Sequence, residues 1–255
     1  MEINKELRNF QLRMLDVLTE VDRICRKHDI PYWMSCGTLL GAVRHGGFIP
    51  WDDDMDIEVC KKDYAKLLRL LQTELPEQYR VHCYGTDRAF FFQFAKVRDL
   101  HSELTEAKGV DRDYKYKGAF LDIFPVEYTN QTAAELSKRT FNFFFKVMTV
   151  LRMRRVPGRR LLWPLFHLCL VVAAWFFRVF IHPRSKDCVA SLCSDYYYQL
   201  GESDLFPLQE LTFEGRRFWA PHHPDAYLSS YFGKDYMQLP AEENRIWHGV
   251  EFRIW

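Results

Sequence analysis

A chain of 255 residues that is 48% apolar and 16% aromatic carries enough apolar side chain for a substantial buried core, which excludes a disordered polypeptide. A formal net charge of +1 excludes a generally basic nucleic-acid binder, so no nucleic-acid partner is expected. That average hides an asymmetry: residues 136–186 hold no Asp or Glu but eleven Lys or Arg, leaving about 24 basic against 34 acidic residues elsewhere.

In chain order, residues 5–29 place Leu7, Phe10, Met14, Leu15, Leu18, Val21 and Cys25 at helical spacing, which predicts an amphipathic helix ending before Pro31. PYWMSC reads as a short strand, and Gly37-Thr38 opens a brief helix over residues 39–44 that Gly46-Gly47 and Pro50 stop. MDIEVC is a second strand and KKDYAKLLRLLQTEL a second amphipathic helix. YRVHCYG, FFFQFAKVRDL and GAFLDIFPVEY read as further strands, the last ended by Pro125. A Phe-rich helix is expected from Thr132 to about Arg155. The break Val156-Pro157-Gly158 follows it, then an apolar segment over residues 161–181 and a third helix over residues 187–200. LQELTFEGRRFWAP is a hairpin turning at Glu214-Gly215, and PDAYLSSYFG a helix stopped at Gly233. The seven scattered cysteines lack metal-ligand spacing and read as reduced thiols. MEINKELRNF lacks the apolar stretch of a secretory signal, so a cytoplasmic active site is expected.

Chemistry concentrates in Trp51-Asp52-Asp53-Asp54-Met55-Asp56-Ile57. Side chains alternate along a strand, so Asp54 and Asp56 share a face, Asp52 joins them if the strand begins early, and Asp53 points away. Adjacent carboxylates repel, and a site that keeps them ionised calls for a divalent cation of oxygen-preferring type, Mg2+ or Mn2+. Asp122, alone in the apolar AFLDIFP, is the third acid, because a charge there needs a partner. Gly37 and Thr38 at a helix start offer backbone N–H groups and a hydroxyl to a phosphate, with Arg44, Lys96 and Arg98 as further phosphate contacts. Weighed beside this are a solvated acidic loop, a structural salt bridge at Asp122, and a calcium loop. The last fails on Ile57 where Gly is needed and Asp63 where Glu is needed. His45 reads as a helix-end residue rather than a catalyst, and His248 is open between the two.

GTLLGAVRHGGFIPWDDDMDIEV resembles the signature of the LicD family of phosphocholine transferases, relatives of the fukutin-related ribitol-phosphate transferases; AFLDIFPVEY and FEGRRFWAPHHPDAYLSSYFGKDYMQLP resemble its later blocks. The resemblance implies an α/β (mixed α+β) fold of the nucleotidyltransferase type, a mixed sheet flanked by helices. It also implies transfer of a phospho-substituent, phosphocholine or phospho-alditol, from a CDP-activated donor to a sugar hydroxyl of a cell-surface glycan or lipid-linked glycan, with release of CMP. Asp54, Asp56 and Asp122 then hold the metal, with Asp52 supporting them in catalysis. If choline is the cargo, Trp33, Trp51 and Trp219 are available for an aromatic cage. The competing readings are a sugar-nucleotide glycosyltransferase with an Asp-x-Asp metal site and a non-catalytic membrane-associated glycan-assembly protein.

The expected organisation is a core with the metal site over residues 1–131, a helical insertion over 132–200, and a C-terminal block over 201–255 that packs back on the core. Within the insertion, residues 161–177 carry no formal charge and fall short of the roughly 20 apolar residues that a span needs. RMRRVPGRR, ahead of them, has the composition found beside an anionic cytoplasmic leaflet. A helical pair dipping into the membrane face is favoured over a buried core helix or a true span, which places the chain in the cytoplasm, peripheral to the inner face of the membrane.

Overall fold

The computed structural model describes residues 5–106, 109, 111–180, 188–245 and 249–255. His248 and the end of the apolar segment at Ile181 lie outside them. The expected α/β architecture is present. Helix α1 (Lys5–Lys27) buries its apolar stripe; β1 (Tyr32–Met34), α2 (Cys36–His45), β2 (Asp56–Cys60) and α3 (Lys61–Glu74) follow. Next come β3 (Tyr79–His82), β4 (Ala95–Asp99), β5 (Ser102–Glu106) and β6 (Phe120–Thr129). Helices α4 (Gln131–Met153) and α5 (Trp163–Phe180) precede β7 (Cys188–Ala190), β8 (Tyr197–Gln199) and the single turn α6 (Glu202–Leu205). Strands β9 (Gln209–Phe213) and β10 (Arg216–Ala220), α7 (Pro224–Phe232) and β11 (Gly249–Ile254) complete the chain.

The main sheet has the order β1-β2-β6-β4-β3, with β7 on β6 and β8 on β7. Strands β2 and β6 run parallel, and the other pairs are antiparallel. Ile57, Val59, Val97, Leu121 and Ile123 project from one face into the principal core, shared with the apolar stripe of α1 and with Leu67 and Leu71 of α3. At about 2 kcal/mol per fully buried large aliphatic side chain, this face holds the sheet in register, since a one-residue slip would turn every such residue outward. The opposite face carries the polar residues of the site.

Three elements differ from the expectation. Phe90, Phe91 and Phe92 are not in a strand; they turn away to fill a second core with Tyr114, Phe141, Trp163 and Leu170 under α4 and α5, so β4 starts only at Ala95. Pro125 does not end its strand. It lies past the last β4 partner, Ile123, and before the first β7 partner, Glu127, and pairs only with Val59 of β2, so no antiparallel ladder needs its missing N–H. Among the described residues of 187–200, the expected helix is replaced by β7 and β8. Cys188-Val189-Ala190 extends the sheet along β6, and burying both faces of that strand outweighs helical spacing. The β9–β10 hairpin does turn at Glu214 (φ 51°) and Gly215 (φ 75°), and Gly46 (φ 67°) does close α2.

Candidate active site

Sheet register gathers the chemistry. Asp56 of β2 stands opposite Asp122 of β6, and Asp122 stands opposite Lys96 of β4, so the three occupy neighbouring positions across three strands. Paired residues in adjacent strands project to the same face, here the wall of a cavity of about 1040 Å³ that also receives Asp52 and Asp54. Lys96 Nζ lies 2.8 Å from Asp122 Oδ2 with hydrogen-bond alignment, and 2.7 Å from Oδ1 by charge alone. Burial pushes the Asp122 carboxyl up to about 6 against the pull of Lys96 and Arg98. Burial, then the charges of Asp54, Asp122 and Asp52, pushes the Asp56 carboxyl well above the ordinary range, against Lys96.

Asp52 sits on the cavity wall beside the start of α2. A Cβ on Gly37 would come within 2.8 Å of its Oδ2, so a side chain at residue 37 collides with the carboxylate. Burial, followed by the charge of Asp54 and a hydrogen bond with it, raises the Asp52 carboxyl. Gln11 of α1 donates to the backbone oxygens of Asp52 (2.9 Å) and Ile49 (3.3 Å), which fixes the loop carrying the acids. Asp53 faces away, fully buried, and accepts from the Gly249 N–H at 2.6 Å. Thr38 is placed differently from the expectation: its hydroxyl is buried and accepts from the Asp56 N–H at 2.8 Å, so it positions β2 rather than lining the cavity.

Of the three expected basic contacts, Lys96 and Arg44 line the cavity. Arg44 also donates to the backbone oxygens of Tyr236 (3.1 Å) and Gln238 (3.3 Å), binding the C-terminal block to the rim. Arg98 is fully buried, stacked on Phe120 at 4.6 Å, with its two terminal nitrogens bound to Gly118 O (3.0 Å) and Glu106 (2.9 Å), and it does not line the cavity. His45 accepts from Arg44 Nε at the end of α2.

Glu58, two residues beyond Asp56 on the same face, escaped the sequence reading. Fully buried, it accepts from Trp33 Nε1 (2.8 Å) and from the hydroxyls of Tyr198 (2.5 Å), Tyr227 (2.8 Å) and Tyr196 (3.2 Å). Burial pushes its carboxyl up to about 7 although these four donors pull it down. The Tyr227 hydroxyl in turn accepts from the Cys36 N–H at 3.3 Å, so α7 is linked to the first turn of α2. The i, i+2 spacing of Asp56 and Glu58 was the available signal.

The tryptophan cage is corrected by the same contacts. Trp33 is committed to Glu58, and Trp219 packs against Tyr32 and Arg26 away from the cavity. Trp51 does line it, under the Arg245 guanidinium at 4.2 Å. The aromatic wall is instead formed by Phe94, Phe124, Phe141, Phe145, Tyr196 and Tyr231.

The acids suit an oxygen-preferring divalent cation: the Cys36 thiol in the same lining is held protonated by burial and by Asp56 and Glu58, the buried Asp56 has other carboxylates as its main neighbours, and Asp122 Oδ1 has no hydrogen-bond partner. Among the described residues, no three His, Cys, Asp or Glu side chains are gathered as a ready ligand set, so an ion would draw these carboxylates together.

A family model described as LicD/FKTN/FKRP, nucleotidyltransferase domain, matches residues 29–164, the stretch that holds Asp52, Asp54, Asp56 and Asp122 with strands β2 and β6. Along its length the chain is 27% identical over 264 residues to the lipopolysaccharide cholinephosphotransferase LicD of Haemophilus influenzae, covering 96% of each protein. A shorter stretch of 80 residues is 31% identical to the human ribitol 5-phosphate transferase FKRP, covering 29% of this chain and 16% of that protein. Another of 73 residues is 29% identical to the mouse ribitol-5-phosphate transferase FKTN, covering 28% and 16%. The chain therefore belongs to the LicD/FKTN/FKRP family of nucleotidyltransferase-domain proteins, in which the relatives named here are transferases.

Proposed function

We propose that this protein transfers a phospho-substituent, phosphocholine or phospho-alditol, from a CDP-activated donor to a sugar hydroxyl of a cell-surface glycan, releasing CMP. The observation that carries this reading is the register Asp56–Asp122–Lys96, which joins two carboxylates and an ammonium on one cavity wall beside Asp52 and Asp54. Such a wall suits a diphosphate better than a neutral substrate, because its charges can be shared between a cation and the phosphoryl oxygens.

In the reaction, the acceptor oxygen forms a bond to the phosphorus bearing the headgroup. The bond from that phosphorus to the bridging oxygen breaks, and the electron pair leaves with CMP. Mg2+ or Mn2+, held by Asp54, Asp56 and Asp122, would neutralise the diphosphate and the charge growing on the leaving group. Lys96 holds Asp122 in place and keeps a positive charge on the wall. Arg44, anchored to the C-terminal block, adds a second one at the rim. The acceptor proton passes to a carboxylate of the cluster, Asp122 or Asp52. The aromatic wall shields the reacting centre from water.

The test is CMP release from CDP-choline and CDP-ribitol with Mg2+ and a glycan acceptor. Release from neither, nor from any other CDP-linked donor, overturns the reading, and release of UDP or GDP from a sugar nucleotide would replace it with glycosyl transfer.

A further inference from the structure

Helix α5 is apolar on two opposite faces, and among the described residues only one of them is packed. Trp163, Phe166, Leu170, Ala174 and Phe177 form a buried stripe from the first turn to the last, packed into the second core. Polar contacts pin the helix along the same length: His167 Nδ1 lies 2.9 Å from Phe91 O with its ring stacked on Tyr84, and Arg178 Nε donates to Glu127 at 2.8 Å. The other stripe, Leu165, Leu168, Val172, Trp175, Phe176 and Phe180, is exposed, Phe180 by 64% and Leu168 by 57%. A helix of this length presents such a stripe over about 27 Å, far more apolar surface than a solvated helix carries.

Charge selects the occupant. Arg154, Arg155 and Arg160 are exposed at the α4–α5 junction, and Lys138, Arg139 and Lys146 along α4, in a stretch of sequence without a single acid. Of the five junction arginines, Arg152 and Arg159 are drawn inward to the buried Asp113, while Arg160 reaches the same carboxylate at 3.3 Å yet keeps its side chain 73% exposed. An apolar stripe bordered by exposed cations complements an anionic lipid surface, acyl chains meeting the stripe and phosphates the arginines. By length and composition alone the helical stretch Arg159–Phe180 could cross a membrane, yet its attachment to the protein from Trp163 to Arg178 leaves, among the described residues, one side for lipid.

We propose that the α4–α5 pair docks in the plane of an anionic leaflet by this stripe. Helix α4 also lines the cavity through Phe141, Asn142 and Phe145, while the neighbouring Phe143 is exposed. Docking therefore brings the cavity wall to the level of the headgroups, where a lipid-linked acceptor would present its sugar.

The experiment adds the full chain to preformed vesicles of phosphatidylcholine with or without phosphatidylglycerol. Binding is expected to the anionic vesicles, with free exchange between two labelled vesicle populations. Replacing Arg154, Arg155 and Arg160 together by Gln should weaken it by roughly 100-fold, and Leu168→Asp with Phe176→Asp should abolish it. CMP release with a soluble acceptor should be unchanged in both variants, which separates this proposal from the reading of the active site. Failure to bind anionic vesicles overturns the proposal. So does irreversible retention, the mark of a span, or a solution dimer that the Asp variants split, the mark of a second copy on the stripe.

Discussion

The motif-bearing strands and the α4–α5 pair invert each other's relation to solvent. In the first region, Asp56, Glu58, Asp122 and Lys96 are buried on a sheet face; hydrogen bonds and an ion pair offset the desolvation of the last three, while Asp56 faces other carboxylates. In the second, Leu165, Trp175, Phe176 and Phe180 are exposed on a helix whose other side is well packed. Each arrangement is costly by itself: a buried charge costs several kcal/mol when unpaired, and an exposed large apolar side chain forgoes about 2 kcal/mol. Buried charge that is kept despite that cost points to a ligand of complementary charge, and exposed apolar surface to a partner of low polarity.

The largest break of the comparison is expected at Asp56. Asp56→Asn keeps the shape of the side chain and removes a charge that Asp54, Asp122 and Asp52 repel. CMP release should fall by about 10³-fold or more, while the thermal midpoint stays level or rises. A variant that loses activity only in proportion to lost folded protein would place Asp56 among structural residues. Next comes Glu58→Ala, which strips the acceptor from Trp33, Tyr196, Tyr198 and Tyr227 at once. Leaving these buried donors unmet should cost about 3 kcal/mol in chemical denaturation. Hydrogen exchange should quicken in α7 before α1, because Tyr227 loses its main anchor. A loss under about 1 kcal/mol would mean that the tyrosines find other partners.

How much of this was legible depended on whether the signal was local. Alternation within DMDIEV was enough to pair Asp54 with Asp56 and to turn Asp53 away, as the Gly249 contact of Asp53 bears out. The pairing of Asp56 with Asp122 spans 66 positions and depends on parallel β2 and β6, which no local pattern encodes. Asp122 was singled out only because a charge in an apolar strand requires a reason. Arg98 failed the same test in reverse: two positions from Lys96 but held by different neighbours, it turns its terminal nitrogens to Glu106 and Gly118. The missed strand β7 shows tertiary override, since its three residues are strand only because β6 offers an edge at Glu127–Thr129. The arginines of RMRRVPGRR read as one basic patch, yet Asp113, distant in sequence, draws Arg152 and Arg159 inward and pairs with the still exposed Arg160.

A third measurement probes where the two regions meet. His82 at the end of β3 packs against Phe90 and Tyr114 of the second core and pairs with Asp87 at 2.9 Å. Burial pushes its imidazole down to about 4; Asp87 opposes that, and Arg98 and Lys96 reinforce it. The folded chain therefore keeps His82 neutral at a pH where the unfolded chain protonates it. Its contribution is fully present above the unfolded value near 6.5 and is lost as the pH falls from there toward 4, up to about 3 kcal/mol. Unfolding followed across that window should show stability declining with acid, and His82→Gln should flatten the slope. An unchanged slope would assign the acid sensitivity to other groups.

The smallest expected effect discriminates best between the faces of α5. Leu168 and Leu170 are two positions apart, so the helical turn places them on different sides; Leu168 is exposed by 57% and Leu170 by 0%. Leu170→Ala removes apolar volume from the second core beside Phe166 and Trp163 and should cost about 2–5 kcal/mol. Leu168→Ala removes the same atoms from a side chain that the described residues leave 57% exposed, and should change stability in detergent-free solution by no more than about 0.5 kcal/mol. The two variants then exchange rank on membranes: Leu168→Ala should weaken adsorption to anionic vesicles, whereas Leu170→Ala, at temperatures where it is folded, should leave adsorption unaltered. Equal costs in solution would mean that the outer stripe is already packed against something, and the inverse relation between the two regions would fail at that point.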